Sequence, residues 1–234
     1  MLLFFIYILL LPSSFFFLLL IIMTELLIAT RNKGKVREIR ELLPDFKITS
    51  LLDYPDMPEI VEDGKTFKAN AIKKALTIAR HTGKLVMGED SGLEVRAIGN
   101  RPGIYSARYS GENATDDQNN TKLLWDLTGI PMKKRQARYR CLIALADQNG
   151  LIATVDGSCG GLIAQECRGT NGFGYDPLFF IPRYKKTFGE LDPAIKSKIS
   201  HRARALVKFR KVLDQRYKAQ AIRRKFEGQN KLKA

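Results

Sequence analysis

Thr30, Asn32 and Lys35 stand in "LLIATRNKGKVREIRELL", where a short apolar run gives way to a helical pattern. A hydroxyl, an amide and an ammonium at such a junction lie beside the unpaired N–H groups of a helix start, whose dipole favours an anion. The chemistry suited to that place is the cradling of a polyphosphate. A glycine-built phosphate loop is excluded, because no Gly-x-x-x-x-Gly-Lys-Ser/Thr stretch occurs. A plain polar turn with surface lysines fits the spacing as well.

Three further clusters carry chemistry. Glu62 in "VEDG" precedes a helix on which Asn70 and Lys74, four residues apart, share one side. Asp90 lies in "GEDSGL", read as a strand breaking into a turn at Ser91-Gly92, so that its carboxylate projects from a sheet end. Mg²⁺ takes one or two protein carboxylates and completes its shell with water and phosphate oxygens, and Glu62 with Asp90 is such a pair. The bland alternative is ordinary acids in a helix's first turn and in a strand connection. In "GTNGFGYDPLFF", Phe173 and Tyr175 flank Gly174 and precede Asp176. Aromatics beside glycines with a nearby acid suit a base-stacking pocket, although core packing accounts for many such rings. Ser200-His201-Arg202 opens the last helix, whereas His81 falls at a helix end.

The elements that must position these residues follow from periodicity. Leu26–Ala29 reads as a buried strand of a parallel or mixed sheet. From Lys35, Val36, Ile39, Leu42 and Leu43 take helical spacing until Pro44-Asp45. "FKITSLLDY" is a second strand. Thr66 caps a helix with Phe67, Ala71, Ala75 and Ile78 inward, closed by Gly83. "KLVMGEDSGLEV" is expected as strand, tight turn, strand. "DDQNNTKLLWDLTGI" is a helix with Leu123, Leu124 and Leu127 inward and Trp125 beneath a neighbour. "RYRCLIALAD" and "LIATVDGSCGGLI", joined through Asn149-Gly150, form an antiparallel hairpin. A long amphipathic helix, striped by Leu206, Val207, Leu213 and Tyr217, ends the fold. The class is mixed α/β.

Composition bounds the alternatives. The 234 residues suit one domain, and the apolar (45%) and charged (27%) fractions are those of a globular protein. The net charge of +15 is concentrated late: residues 202–234 hold twelve Lys or Arg against two acids. A basic helix of that kind binds nucleic acid or an anionic membrane, or is simply a solvated face. Cys141, Cys159 and Cys167 form an odd set without Cys-x-x-Cys, and two histidines accompany them. They support neither a disulfide framework nor a zinc site, which points to a reducing compartment. Residues 1–22 are apolar and long enough to span a bilayer, yet Pro12-Ser13-Ser14 divides them and Met23 runs directly into the first strand. They are either a mis-assigned start upstream of Met23 or a membrane anchor.

Taken in order, "ATRNKGK", "EDGKTFKANAIKKA", "EDSGLEV", "RPGIYSARYSG", "TNGFGYDPLF" and "SHRARAL" resemble the motif series of the inosine/xanthosine triphosphate pyrophosphatases, the Ham1 or RdgB type. The resemblance covers about Leu26 to Leu213. It implies a mixed sheet flanked by helices, with a substrate cleft between two lobes, as in ITPase-like and Maf-like folds. It implies hydrolysis of dITP, ITP or XTP to the monophosphate and pyrophosphate with Mg²⁺, in a cytoplasmic homodimer. Carried over by position, Thr30, Arg31, Asn32, Lys33, Gly34 and Lys35 hold phosphates, and Glu62 and Asp90 hold Mg²⁺. Asp90 is the general base, with Lys35 beside it. Asn70, Lys74, Ser91 and Arg108 contact substrate, Phe173, Gly174, Tyr175 and Asp176 hold the base, and Lys196, His201 and Arg202 lie near base and phosphates. Arg31 departs from the small residue common there and is tolerated if it points outward. The catalytic domain is expected over 23–217, followed by a basic tail, 218–234. The rivals are a Maf-like pyrophosphatase of other base preference, a membrane-anchored hydrolase, and a nucleic-acid-binding module, the last opposed by the acids Glu62, Glu89, Asp90 and Glu94.

Overall fold

A computed structural model describes residues 25–231. The apolar leader, 1–22, lies outside them. Strand β1 (Glu25–Ile28) is short, wholly apolar after Glu25, and buried. It runs parallel to β2 (Lys47–Ser50) on one side and β3 (Leu85–Val95) on the other. Helix α1 (Lys33–Leu42) connects β1 to β2, and α2 (Phe67–Thr82) leads into β3. Thr66 caps α2 by accepting the Ala69 N–H, and Gly83 ends it in the left-handed region, as the sequence indicates.

Beyond β3 the sheet becomes antiparallel. β5 (Gln136–Asp147) pairs with β3 from Val86 to Val95 and with β6 (Gly150–Ile163) in the expected hairpin. β4 (Arg101–Pro102) pairs with the end of β3, and β7 (Phe179–Ile181) and β8 (Lys186–Thr187) complete an eight-stranded sheet. The remaining helices are α3 (Asp116–Asp126), α4 (Pro193–Ile199) and α5 (His201–Lys231).

Helices cover both faces. α1 and α5 bury Ile39, Leu43, Leu206, Phe209 and Leu213 against Leu26, Ile28 and Met87. α2 packs Phe67, Ala71, Ala75 and Ile78 against Leu27 and Val86 on the opposite face. A separate core forms beneath the far halves of β3 and β5, where Leu123 and Leu127 of α3 meet Tyr139, Phe179 and Phe188. These cores make two lobes, and the cavity opens between them.

Four local expectations are corrected. β3 runs unbroken through Ser91-Gly92, so Asp90 lies in mid-strand rather than at a turn. Its glycines mark close approaches instead: a Cβ on Gly88 would sit 2.1 Å from the Ala71 carbonyl oxygen, and one on Gly92 2.5 Å from that of Gly103. Trp125 is 79% exposed, two positions round α3 from inward Leu123. Val207 is exposed, and the buried stripe of α5 is Leu206, Phe209, Leu213 and Tyr217. α1 starts at Lys33, not Lys35. The basic stretch from 218 continues α5 as helix to Lys231. Among the described residues, no helix is long and apolar enough to cross a membrane.

Candidate active site

The βα turn after β1 is built by its own polar side chains. Asn32 is the N-cap of α1, its Oδ1 accepting the Lys35 N–H at 3.0 Å, and Thr30 Oγ1 accepts the Asn32 N–H at 3.2 Å. This cap turns Lys35 inward, where its ammonium lies 2.8 Å from Glu89 Oε2. Burial alone would lower the Lys35 pKa; Glu89 and Asp90 reverse that and keep it raised and charged. Arg31 turns outward along the rim, as its size requires, and donates to the carbonyls of Pro55 and Met57 at 3.2 and 3.0 Å.

The two-residue period of β3 sends Gly88 and Asp90 toward α2, and Glu89 and Ser91 toward α5. On the α2 side, Asp90 accepts from Asn70 Nδ2 and Lys74 Nζ, each at 3.1 Å. Lys74 is also 3.1 Å from Glu62 Oε1, so one ammonium joins both predicted carboxylates. Burial raises the Asp90 pKa against the opposing pull of Lys74 and Lys35. For Glu62 burial acts in the same direction, but Lys74 and Lys35 outweigh it and the carboxyl stays below its usual value. Arg108 fixes the Glu62 backbone by donating to its carbonyl at 3.2 Å.

The carboxylate pair suits a hard divalent ion. Two oxygen ligands beside open cavity space match Mg²⁺, which relies on water and substrate phosphates for the rest of its shell. The Lys74 ammonium between them shows that the pair already gathers positive charge. Among the described residues no cluster of three or more His, Cys, Asp or Glu forms a self-sufficient cage.

On the α5 side, Arg202 is 1% exposed and donates to Glu89 Oε1 and Ser91 Oγ, each at 3.2 Å, and to Glu38. Glu89 is fully buried; burial pushes its carboxyl up, and Lys35 and Arg202 hold it well below the usual range. Lys196 bridges Glu38, at 2.6 Å, and Asp176. Asp176 also accepts the Phe173 N–H at 2.9 Å, closing the loop before β7. Burial raises the Asp176 pKa in spite of Lys196. The Phe173 ring packs closely against α1: a Cβ on Gly34 would come within 2.6 Å of it. Lys196 Nζ and the Arg202 guanidinium are 5.2 and 5.5 Å from the ring centre. Tyr175 donates its hydroxyl to the Ser106 carbonyl at 2.8 Å. His201 stacks on Tyr139 at 4.5 Å and 9°, and burial, then Arg202, keep it neutral.

These groups surround one cavity of about 320 Å³. It is lined by Thr30, Arg31, Asn32, Lys35, Glu62, Lys74, Asp90, Ser91 and Arg108, and by Phe173, Gly174, Tyr175, Asp176, Lys196, His201 and Arg202. Lys33 is exposed away from it, and Gly34 and Asn70 act from behind, under Phe173 and Asp90. Sequence reasoning missed Glu38, although it lies one turn after Lys35 on the same helix, the spacing that brings side chains together. It also treated Glu89 only as surface acidity, whereas strand alternation sends it inward.

An α/β cleft with an acid pair and lysines on one side, and an aromatic ring with buried cations on the other, defines a protein built for a charged, ring-bearing small molecule. The chain belongs to the Ham1 family, whose model matches residues 26–212. A relative from Desulforamulus reducens named dITP/XTP pyrophosphatase is 50% identical over 200 residues, 85% of this chain and all of its own. One of the same name from Geobacter sulfurreducens is 52% identical over 79% of this chain and 94% of its own. Among solved structures, a HAM1 protein from Coxiella burnetii superposes with a TM-score of 0.74 at 40% identity, over 82% of this chain and all of its own.

Proposed function

We propose that this protein hydrolyses dITP, ITP and XTP to the nucleoside monophosphate and pyrophosphate, clearing deaminated purines from the nucleotide pool. The observation that carries this reading is the meeting, around one cavity, of Glu62–Lys74–Asp90 with Phe173–Asp176–Lys196–Arg202. The relatives' printed names support the substrate class.

Glu62 and Asp90 would hold Mg²⁺, which when bound supplies positive charge against the triphosphate and the departing pyrophosphate. Asp90 orients the attacking water and takes its proton, a role suited to a carboxyl with a raised pKa. Lys35 and Lys74 offset charge growing on the phosphoryl oxygens, while Thr30 and Asn32 hydrogen-bond the phosphates at the α1 start. The purine stacks against Phe173. Lys196 and Arg202 are donors without acceptors, so they favour a 6-oxo group and penalise the 6-amino group of adenine.

The test is pyrophosphate release from a panel of dITP, XTP, ATP, GTP and pyrimidine triphosphates, with and without Mg²⁺. Preference for the 6-oxo purines other than GTP supports the reading; equal specificity constants for GTP and ITP remove the pool-cleansing role. The same reading places the catalytic unit at 23–217 and the working form as a cytoplasmic homodimer, which sedimentation and cell fractionation check.

A further inference from the structure

Helix α3 reaches the aromatic side of the cavity through two side chains. Asp116, its first residue, accepts the Gly174 N–H at 2.6 Å. Asn120, one turn later, donates Nδ2 to the Gly174 carbonyl at 3.0 Å. A single helix therefore takes both backbone groups of the residue between Phe173 and Tyr175. Gly174 needs such a hold: it has φ of +63°, Gly172 has +83°, and glycine gives the chain many other conformations.

The helix is a firm support. Thr115 and Gln118 form a reciprocal capping box at its start. Asn119 accepts the Ser110 N–H at 2.9 Å and donates to the Ala107 carbonyl at 3.1 Å. Leu123 and Leu127 anchor its other end in the core. Asp116 is exposed and lines the cavity, whereas Asn120 is only 3% exposed.

We propose that Asp116 and Asn120 are positioning residues that set the Phe173–Asp176 loop, and so govern affinity for the nucleobase but not for the phosphates. The inference rests on the proposed nucleotide hydrolysis. Gly174 links two side chains with different directions: Phe173 lies over α1 and Tyr175 reaches Ser106. Releasing Gly174 lets the ring leave the stacking position, while the ion pairs Lys35–Glu89, Lys74–Glu62 and Lys74–Asp90 do not pass through α3.

The experiment compares the full chain with Asp116→Ala and Asp116→Asn, using dITP as substrate and inorganic tripolyphosphate as a competitor lacking a base. Asp116→Ala is expected to raise the KM for dITP about tenfold, the scale of one charge-assisted hydrogen bond, with the tripolyphosphate inhibition constant moved less than about twofold. Asp116→Asn keeps an acceptor for the Gly174 N–H and recovers most of the loss. An unmoved KM in an active protein overturns the inference alone, as do equal rises in KM and inhibition constant. Absence of dITP hydrolysis by the unaltered chain overturns the function and this inference with it.

Discussion

Glu89 and Asp90 are consecutive residues held by different lysines on opposite faces of β3: Lys35 lies 2.8 Å from Glu89, and Lys74 3.1 Å from Asp90. Neighbouring acids thus take separate tasks. Glu89, fully buried, ties the βα turn to Arg202 of α5, while Asp90 faces the cavity beside Glu62.

Asp90→Asn keeps the size and an oxygen that accepts from Lys74, but removes the carboxylate that takes the proton and weakens the hold on Mg²⁺. Turnover of dITP should fall by about two orders of magnitude or more, the scale of general-base removal. Near-normal pyrophosphate release from that variant rejects the assignment.

Removing Lys35 leaves Glu89 buried with Arg202 as its remaining cation. Lys35→Met should cost about 3 kcal/mol of stability, as expected for breaking a buried ion pair, besides abolishing most activity. Adding Glu89→Gln should return much of the stability and none of the turnover. Urea unfolding measures the first and pyrophosphate release the second; a double variant no more stable than the single one contradicts the pairing.

Gly34→Ala places a methyl group 2.6 Å from the Phe173 ring. The ring must yield, so the KM for dITP should rise about tenfold, the cost of modest overpacking, with kcat less affected. Unchanged KM would mean that the ring is not a wall for the substrate.

Glu25 predicts a pH effect far from the cavity. It accepts from Thr49 Oγ1 at 2.6 Å, Tyr54 at 2.9 Å and Lys84 at 2.9 Å. Burial would raise its carboxyl, but Thr49, Lys84 and Tyr54 outweigh it and lower the pKa from 4.5 to about 2. The folded value is depressed, so this stabilisation is present above pH 4.5 and is lost as pH falls toward 2. Glu25→Gln should start less stable at neutral pH and show a flatter Tm profile across that window. With the side chain 24% exposed to screening water, the neutral-pH difference should be about 1 kcal/mol or less. Parallel Tm profiles for the two proteins would contradict the linkage.

The sequence makes the β5–β6 hairpin and α2 legible, since Asn149-Gly150, Thr66 and Gly83 are local signals that the tertiary structure keeps. It pairs Glu62 with Asp90 through their suitability as Mg²⁺ ligands and through motif resemblance, not through spacing, because the loop before α2 and the middle of β3 meet only in the fold. β3 itself was misread for a physical reason. Ser91-Gly92 looks like a turn, yet Gly92 is needed where the Gly103 carbonyl approaches an unbroken strand. Trp125 and Val207 were within reach of stricter helical counting, each lying off the stripe set by its buried neighbours. Glu38 is not legible from any local motif, because its partners, Lys196 and Arg202, are about 160 residues away.

Helix α5 begins at the substrate cleft with His201 and Arg202 and extends to Lys231, beyond the family-matched segment that ends at 212. At 1.5 Å per residue its two ends are about 45 Å apart. A fluorophore, fusion or solid support attached near Lys231 would therefore sit well clear of the entrance, which makes that end of the helix the natural handle for immobilising the molecule while leaving substrate traffic unobstructed.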